Sequence, residues 1–368
     1  MWAGFAGYLG FLMVAPRFGR RFVWGTILVL VTAFAAAPVL LSHDVYSYVD
    51  YARLGVRHDL DPYVHPPLAA PADPAYAEVT WIEATSAYGP LFTLLTYPLA
   101  WLPVGTAVAV LKTVAALSVL GIATLTARIA AWRGIDPLRA AAFVALNPLA
   151  LVHVVGGAHN DALTMLLATA SVAALLSARN LTAGATLTAA VATKLSAALL
   201  APFALLGASQ LTPTGRKRPY IGRNRPVGRV VLGGVTAAVA IGLAAWLAFG
   251  WDWLHGFGLA GENQSRTSYM SLPITTARLT GLDPDATRLA AALLFAAAII
   301  ALLIWTWRGA DWLRAAAWAT LALLLATAWL LPWYLIWLLP LAAISRDRPL
   351  QLLSLALTAY QLGARIPL

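Results

Sequence analysis

Long apolar runs separated by short polar stretches dominate this chain. Runs of ~17–25 apolar residues are long enough to cross the hydrocarbon core of a membrane as α-helices. We predict clear spans at residues 22–41, 104–127, 140–155, 162–177, 230–250, 289–307 and 315–331, and shorter candidates at 2–15, 335–344 and 350–362. The pattern predicts one all-α, polytopic transmembrane domain over residues 1–368, with about 9–12 spanning or half-spanning helices.

Basic residues orient these helices, because lysine and arginine concentrate in cytoplasmic loops. With the basic clusters placed in the cytoplasm, residues 181–207 lie between Arg179 and Arg216. That stretch is too short for two full spans at ~1.5 Å per residue. We therefore predict two half-length helices that turn near Lys194, and a second short hairpin that turns at residues 331–334.

The same orientation defines the loops. A long first outer loop occupies residues 42–103, and residues 87–101 are its best candidate for an interfacial helix. A second outer loop is predicted at 251–287 and a basic cytoplasmic loop at 208–229. Most acidic residues fall on the outer side, so we expect the functional site there, in a multi-pass protein of the cell inner (plasma) membrane.

Composition supports this assignment and narrows the chemistry. Hydrophobic residues make up 61% of the chain and charged residues 11%, against roughly 25% charged residues in soluble domains. The net charge of +10 comes from basic clusters that indicate topology, so no nucleic-acid partner is expected. The chain has no cysteine, no nucleotide-binding glycine loop and no HExxH motif.

Asp44 follows the first clear span directly. A carboxylate at a membrane boundary has its pKa raised by desolvation and lowered by a nearby cation. It is suited to act as a general base on a sugar hydroxyl. Aspartate is also a favoured helix N-cap. Both interpretations stay open, and they are compatible.

A glycine-rich turn joins two predicted spans and carries His159, Asn160 and Asp161. These side chains are candidates to hold substrate hydroxyls, or Asn160 or Asp161 is a helix cap. No histidine or acid stands three or four residues from His159 to complete a metal site. We predict no metal and no other cofactor, although a divalent metal is not excluded.

Lys194 is a lone charge inside an apolar stretch, which costs several kcal/mol unless the ammonium reaches the interface or meets an anion. It is a candidate for binding the phosphate of a lipid-linked substrate, with Arg266 as a second cation. Trp333 and Tyr334 belong to an aromatic belt or stack on a sugar ring.

Several of these features together resemble a known family. Asp44-Val-Tyr-Ser-Tyr48 follows the first span, Leu60-Asp-Pro-Tyr63 and Tyr88-Gly-Pro-Leu91 lie in the first loop, and Asn147-Pro148, the 156–161 turn, Lys194 and Pro332-Trp-Tyr334 follow. The pattern resembles the polyprenol-phosphate-mannose-dependent alpha-1,6-mannosyltransferases of actinobacterial cell envelopes. These are GT-C class membrane glycosyltransferases involved in lipomannan and cell envelope biogenesis.

The resemblance implies an inverting mannosyl transfer on the outer face. The donor would be a polyprenyl-phosphate-linked sugar and the acceptor a mannan or glycolipid. Asp44 would be the general base, and Lys194 and Arg266 would bind the donor phosphate. The substrate-binding candidates are His43, Tyr48, Asp50, Tyr88, His159, Asn160, Asp161, Glu262, Trp333 and Tyr334.

Other functions remain open on the sequence. A transporter or flippase of lipid-linked sugars would also use broken helices and a buried charge, but we find no inverted repeat. A glycosyltransferase that uses another polyprenyl-phosphate sugar would share the architecture. A non-catalytic assembly subunit would tolerate Asp44→Asn.

Overall fold

The computed structural model describes residues 1–210, 225–262 and 265–363, and regular secondary structure in these ranges is helical throughout. The predicted all-α class is confirmed. The α-helices are α1 Trp2–Val14, α2 Arg20–Ala36, α3 Asp44–Arg57, α4 Pro90–Thr96, α5 Val104–Trp132, α6 Pro137–Ala145, α7 Asp161–Leu176, α8 Asn180–Thr193, α9 Leu200–Gln210, α10 Arg225–Phe249, α11 His255–Glu262, α12 Leu272–Thr280, α13 Pro284–Trp307, α14 Trp312–Ala326, α15 Leu339–Ile344 and α16 Arg348–Leu362.

Short 3-10 segments and one π-helix connect these elements. The 3-10 helices are Ala15–Arg17, Pro67–Ala69, Tyr76–Glu78, Tyr97–Trp101, Leu195–Leu199, Asp252–Leu254 and Pro332–Trp337, and the π-helix is Ala150–Val155. Helices α5, α10 and α13 are long and apolar enough to cross a membrane, and α7, α9 and α14 are shorter apolar helices. The chain is a polytopic membrane protein.

Several predicted spans have different bounds in the structure. The 140–155 span is wrong as a continuous helix, because α6 ends at Ala145 and the π-helix begins only at Ala150. Pro148 lacks an amide hydrogen and disfavours helical geometry at the preceding Asn147. The Asn147 side chain accepts a hydrogen bond from the Leu149 amide at 3.0 Å, which satisfies one donor at the break.

Other ends shift by several residues. Helix α2 stops at Ala36, five residues before the predicted end, where Ala37 and then Pro38 leave the helix. Helix α14 stops at Ala326, so the predicted 315–331 span is also too long. Conversely, α5 continues to Trp132, and α13 begins at Pro284, inside the predicted second loop.

The predicted break at Lys194 is confirmed. Helix α8 ends at Thr193, Lys194 is extended with φ −157° and ψ 128°, and the chain resumes as a 3-10 turn before α9. Helix α8 packs antiparallel to α7, since Lys194 at its end reaches Asp161 at the start of α7. The second predicted break, at 331–334, coincides with the start of the 3-10 helix Pro332–Trp337.

The first loop, residues 42–103, is well structured. It begins with α3, and the predicted 87–101 segment is helical, as α4 followed by the 3-10 helix Tyr97–Trp101. The second loop contains α11 and α12. Most of the predicted basic loop at 208–229 lies outside the described residues, which resume at Arg225.

The main core is formed by α2, α5, α6, α7, α14 and α15, whose apolar faces pack together. Helices α8 and α10 approach closely through glycines. A Cβ added at Gly184 would lie 1.9 Å from the Val230 carbonyl oxygen, and one at Gly233 would lie 2.0 Å from that of Leu181. Small residues allow such close helix packing in membranes. This packing helps to fix α8, which ends just before Lys194.

Candidate functional site

A cavity of about 390 Å³ lies where the first loop meets the breaks at Lys194 and at 327–334. Its walls come from the start of α3, the 80–88 segment, Lys194–Ser196, Arg266, and the chain after α14. Among its described lining residues Asp44 is the one acid, and Lys194 and Arg266 supply fixed positive charges. One carboxylate and two cations therefore face the same space.

Asp44 is the first residue of α3, at the positive end of the helix dipole. Its Oδ1 accepts a hydrogen bond from Trp81 Nε1 at 3.1 Å, and its Oδ2 lies 3.7 Å from His159 Nδ1. Burial raises the pKa of the Asp44 carboxyl, while the Trp81 hydrogen bond and the positive charge of Lys194 oppose the rise. The structure shows no side-chain cap at this helix start, so the capping interpretation is not supported.

Lys194 is held by a fully buried acid. Its Nζ donates to Asp161 Oδ1 at 2.8 Å and to Oδ2 at 2.9 Å. Trp337 Nε1 donates to the same Oδ1 at 2.6 Å. The ammonium also lies 5.0 Å from the centroid of the Tyr334 ring, within cation–π range. Both Asp161 oxygens are thus engaged in fixing Lys194 at the cavity wall.

Arg266 reaches the cavity from the segment between α11 and α12. Its guanidinium carbon lies 4.9 Å from the Trp81 ring centroid, within cation–π distance. The Trp81 ring also meets the Trp329 ring nearly edge to face, with the two centroids 6.4 Å apart. Trp81 therefore contacts both Asp44 and Arg266.

His159 lies behind the cavity wall. Its ring stacks on Trp333 with centroids 3.8 Å apart and an interplanar angle of 17°. It is 1% exposed, and burial and the charge of Lys194 hold its pKa well below the usual value. The imidazole is neutral at physiological pH and supports Trp333, which does line the cavity.

Aromatic rings form much of the remaining wall. Tyr48 and Tyr88 meet edge to face at 4.9 Å, and Tyr334 stacks on Trp337 at 4.2 Å. All four of these rings line the cavity. Aromatic faces of this kind can stack on sugar rings while the hydroxyl and indole groups make polar contacts.

The structure brings most predicted site residues together. The predicted residues that line the cavity are His43, Asp44, Tyr48, Tyr88, Lys194, Arg266, Trp333 and Tyr334. His159, Asn160 and Asp161 lie next to it without lining it, and all three are nearly fully buried. The predicted contact of this turn with substrate hydroxyls is therefore not supported. The turn does not line the cavity, and the Asp161 carboxylate already accepts hydrogen bonds from Lys194 and Trp337.

Two predicted binding residues lie elsewhere. Glu262 is exposed at the end of α11 and does not line the cavity. Asp50 is 1% exposed, and neither of its carboxylate oxygens has a hydrogen-bond partner among the described residues. Burial and the nearby Asp73 raise the pKa of Asp50 to about 7. Asp50 faces the interior of the first loop rather than the cavity.

Sequence reasoning missed Trp81 and Lys112. Trp81 carries no signal of its own, because it is one aromatic residue in a polar loop. Lys112 had a signal, since it is a charge within the predicted 104–127 span. Its Nζ donates to the carbonyl oxygens of Ala37 at 2.5 Å, Pro38 at 3.0 Å and Gly156 at 3.1 Å.

The described residues contain no cluster of three or more histidine, cysteine or acidic side chains placed to hold a metal ion.

Comparisons with known proteins assign the chain to a family. Residues 2–210 match the family model described as alpha-(1->6)-mannopyranosyltransferase, N-terminal domain. The chain is 30% identical over 343 residues to alpha-(1->6)-mannopyranosyltransferase A of Mycobacterium tuberculosis, covering 85% of this chain and 64% of that protein. It is 28% identical over 183 residues to the protein of the same name from Corynebacterium glutamicum, covering 48% of this chain and 37% of that protein.

The chain thus spans less than two thirds of the length of these relatives. No solved structure is significantly similar to it.

Proposed function

Because the chain belongs to the alpha-(1→6)-mannopyranosyltransferase family, we propose that it is a membrane mannosyltransferase with its active site in the Asp44 cavity. The observation that carries the proposal is the lining itself. A single acid, Asp44, faces the same space as Lys194 and Arg266 among the described lining residues. A transfer from a phosphate-linked sugar needs one base and a positively charged site for the leaving phosphate.

The donor is a mannosyl phosphoryl polyprenol, and the acceptor is a hydroxyl of a mannan or glycolipid. Asp44 Oδ1 is held by Trp81, so Oδ2 takes the proton of the acceptor hydroxyl. The acceptor oxygen attacks the anomeric carbon, and the bond from that carbon to the phosphate oxygen breaks. The polyprenyl phosphate leaves with the bonding electron pair, and the β-linked donor gives an α-linked product.

The raised pKa of Asp44 suits this role. A carboxylate that holds a proton more firmly is a stronger base, provided that it is still ionised at the working pH. The opposing influences of Trp81 and Lys194 keep an ionised fraction available. Burial therefore makes Asp44 a stronger base, and Trp81 and Lys194 limit the rise of its pKa.

Lys194 and Arg266 neutralise the charge that develops on the leaving phosphate. Asp161 takes two hydrogen bonds from Lys194, and an ammonium has three donors. One donor of Lys194 stays available for a phosphate oxygen. The phosphate leaves as an anion, so no general acid is needed. The aromatic walls hold the sugar, with His159 supporting Trp333.

We place this cavity on the extracytoplasmic face of the plasma membrane. Basic residues cluster at the opposite helix ends, where Arg308 and Arg314 flank the connection between α13 and α14. Basic clusters favour the cytoplasm. A lipid-linked donor fits such a site, since nucleotide sugars are not supplied there.

The test is sugar transfer in liposomes. The purified protein is reconstituted with short-chain mannosyl phosphoryl polyprenol and an α-mannoside acceptor, and the anomeric configuration of the product is determined by NMR. We expect an α-linked mannosyl product. Transfer of arabinofuranosyl or glucosyl residues in place of mannose would keep the mechanism and replace the sugar. No transfer from any lipid-linked sugar by folded protein would contradict the proposal and favour a flippase or an assembly subunit.

A further inference from the structure

Trp81 contacts both the carboxylate of Asp44 and the guanidinium of Arg266. Its indole N–H donates to Asp44 Oδ1 at 3.1 Å, and its ring lies 4.9 Å from the Arg266 guanidinium carbon. The two contacts use different parts of the indole, its N–H and its π-electrons. They can therefore be removed separately.

We propose that Trp81 is a positioning residue that fixes Asp44 through its N–H and Arg266 through its ring. The inference rests on the proposed function and extends it. The N–H holds Oδ1 and leaves Oδ2 for the acceptor proton. The ring keeps Arg266 beside the cavity, where the donor phosphate binds. One side chain thus sets the spacing between the base and a phosphate-binding cation.

The surroundings of Asp44 support an individual role for this hydrogen bond. Trp81 Nε1 donates to the carboxylate at 3.1 Å, the Ser42 side chain contributes a smaller lowering of the Asp44 pKa, and His159 Nδ1 stays 3.7 Å away. A hydrogen bond to the ionised form of a carboxylate lowers its pKa. The groups that also act on Asp44 or face it are Ser42, Tyr48, Tyr51, Tyr88, His159, Asp161, Lys194 and Tyr334. Of the groups that lower the pKa of Asp44, Trp81 has the largest influence.

Two substitutions separate the two contacts. Trp81→Phe keeps an aromatic face for Arg266 and removes the N–H. We expect kcat to fall about tenfold, as for loss of a hydrogen bond to a charged group, with the donor KM unchanged. The acid side of the pH–rate profile should move to higher pH, because Asp44 then ionises less readily. Trp81→Leu removes both contacts, and the donor KM should also rise.

Trp101→Phe is the matched control. Trp101 also carries an arginine over its ring, with Arg57 at 5.5 Å, and belongs to the same loop. It is 67% exposed and does not line the cavity. We expect its kcat, donor KM and pH profile to match those of the wild type.

A second measurement does not depend on sugar transfer. The Asp44 carboxyl is titrated by infrared difference spectroscopy in nanodiscs, with Asp44→Asn used to assign the band. We expect a higher pKa for Asp44 in Trp81→Phe than in the wild type. If that shift occurs and no lipid-linked sugar is transferred, the proposed function fails and the Trp81–Asp44 link stands. If neither the titration nor the pH–rate profile moves in Trp81→Phe, the positioning role is wrong.

Discussion

Lys194, at the break between α8 and α9, donates hydrogen bonds to both carboxylate oxygens of Asp161 at the start of α7, at 2.8 and 2.9 Å. Asp161 has no solvent exposure. A charged lysine in an apolar stretch costs free energy unless it meets an anion, and Asp161 is the anion that pairs with Lys194. The pair also fixes the place where the cation meets the cavity, because Trp337 holds the same carboxylate.

Asp161→Asn should destabilise the protein strongly. The substitution leaves the Lys194 ammonium without its anionic partner, and breaking a buried ion pair typically costs ~3–5 kcal/mol. The thermal unfolding midpoint in detergent is the measurement. The double variant Asp161→Asn/Lys194→Gln should lose much less stability than the two single losses added together. Simple additivity of the two losses would contradict the pairing.

Gly89→Ala should disturb the cavity from the first loop. The Gly89 amide donates to the Thr193 carbonyl at 3.1 Å, and an added Cβ would lie 2.1 Å from the Ala192 carbonyl oxygen. The loop must retreat from the end of α8, and overpacking of this kind costs ~1–3 kcal/mol. Both transfer activity and the unfolding midpoint should fall.

Gly105→Ala is the control for that experiment. A Cβ at Gly105 meets no heavy atom within 4 Å, so this substitution should leave activity and stability unchanged. Equal behaviour of the two alanine variants would show that the close approach at Gly89 is wrong.

Asp50 should make stability depend on pH. Burial and then Asp73 raise its pKa to about 7, against the influence of His58 and Arg53. The folded protein therefore holds this proton more firmly than the unfolded chain does. The free energy of unfolding should fall as pH rises from the unfolded pKa of about 3.9 to about 7, and the contribution should level off above that.

Asp50→Asn should remove most of this fall, since the amide stays neutral. Thermal unfolding midpoints measured between about pH 5 and about pH 8 test the expectation. Asp59→Asn, at an exposed acid just beyond the same helix, should retain the wild-type slope. A slope that persists in Asp50→Asn would assign the pH dependence to another group.

The absence of cysteine from the chain permits a direct test of orientation. Glu83→Cys places a thiol in the first loop near the cavity, and Arg308→Cys places one at the opposite end of α13 and α14. Both positions are exposed. A membrane-impermeant maleimide added to intact cells should label the first variant and not the second. The reverse pattern would place the cavity in the cytoplasm.

The sequence predicted the features of this fold that depend on short stretches of chain, such as apolar helix length and an isolated charge. Apolar length predicted the long helices, and the lone Lys194 predicted the break between α8 and α9, because a charge in an apolar stretch has few stable placements. The helix break at Asn147-Pro148 could have been predicted from proline geometry. The early end of α2 could have been predicted in the same way, because Pro38 disfavours helical geometry at Ala37. The early end of α14 could not, since no charge or proline stands where that helix stops.

The sequence predicted the charged residues of the candidate site, but it did not predict which side chains hold them in place. Asp44, Lys194 and Arg266 line one cavity, as their chemistry suggested. That Asp161 would hold Lys194 rather than a substrate depends on the antiparallel packing of α7 and α8. Trp81 lies 37 residues from Asp44 along the chain, and only the folded loop brings its N–H to the carboxylate.

The most direct test of the account is the transfer rate of Asp44→Asn in liposomes that contain mannosyl phosphoryl polyprenol and an α-mannoside acceptor. Asparagine keeps the size of the side chain and removes the base, so we expect the rate to fall ~100-fold or more. Because partial burial raises the pKa of the Asp44 carboxyl, the unfolding midpoint should not fall at neutral pH. Glu83→Gln, at an exposed acid outside the cavity lining, should transfer at the wild-type rate. Wild-type transfer by Asp44→Asn would contradict the central claim that Asp44 is the base.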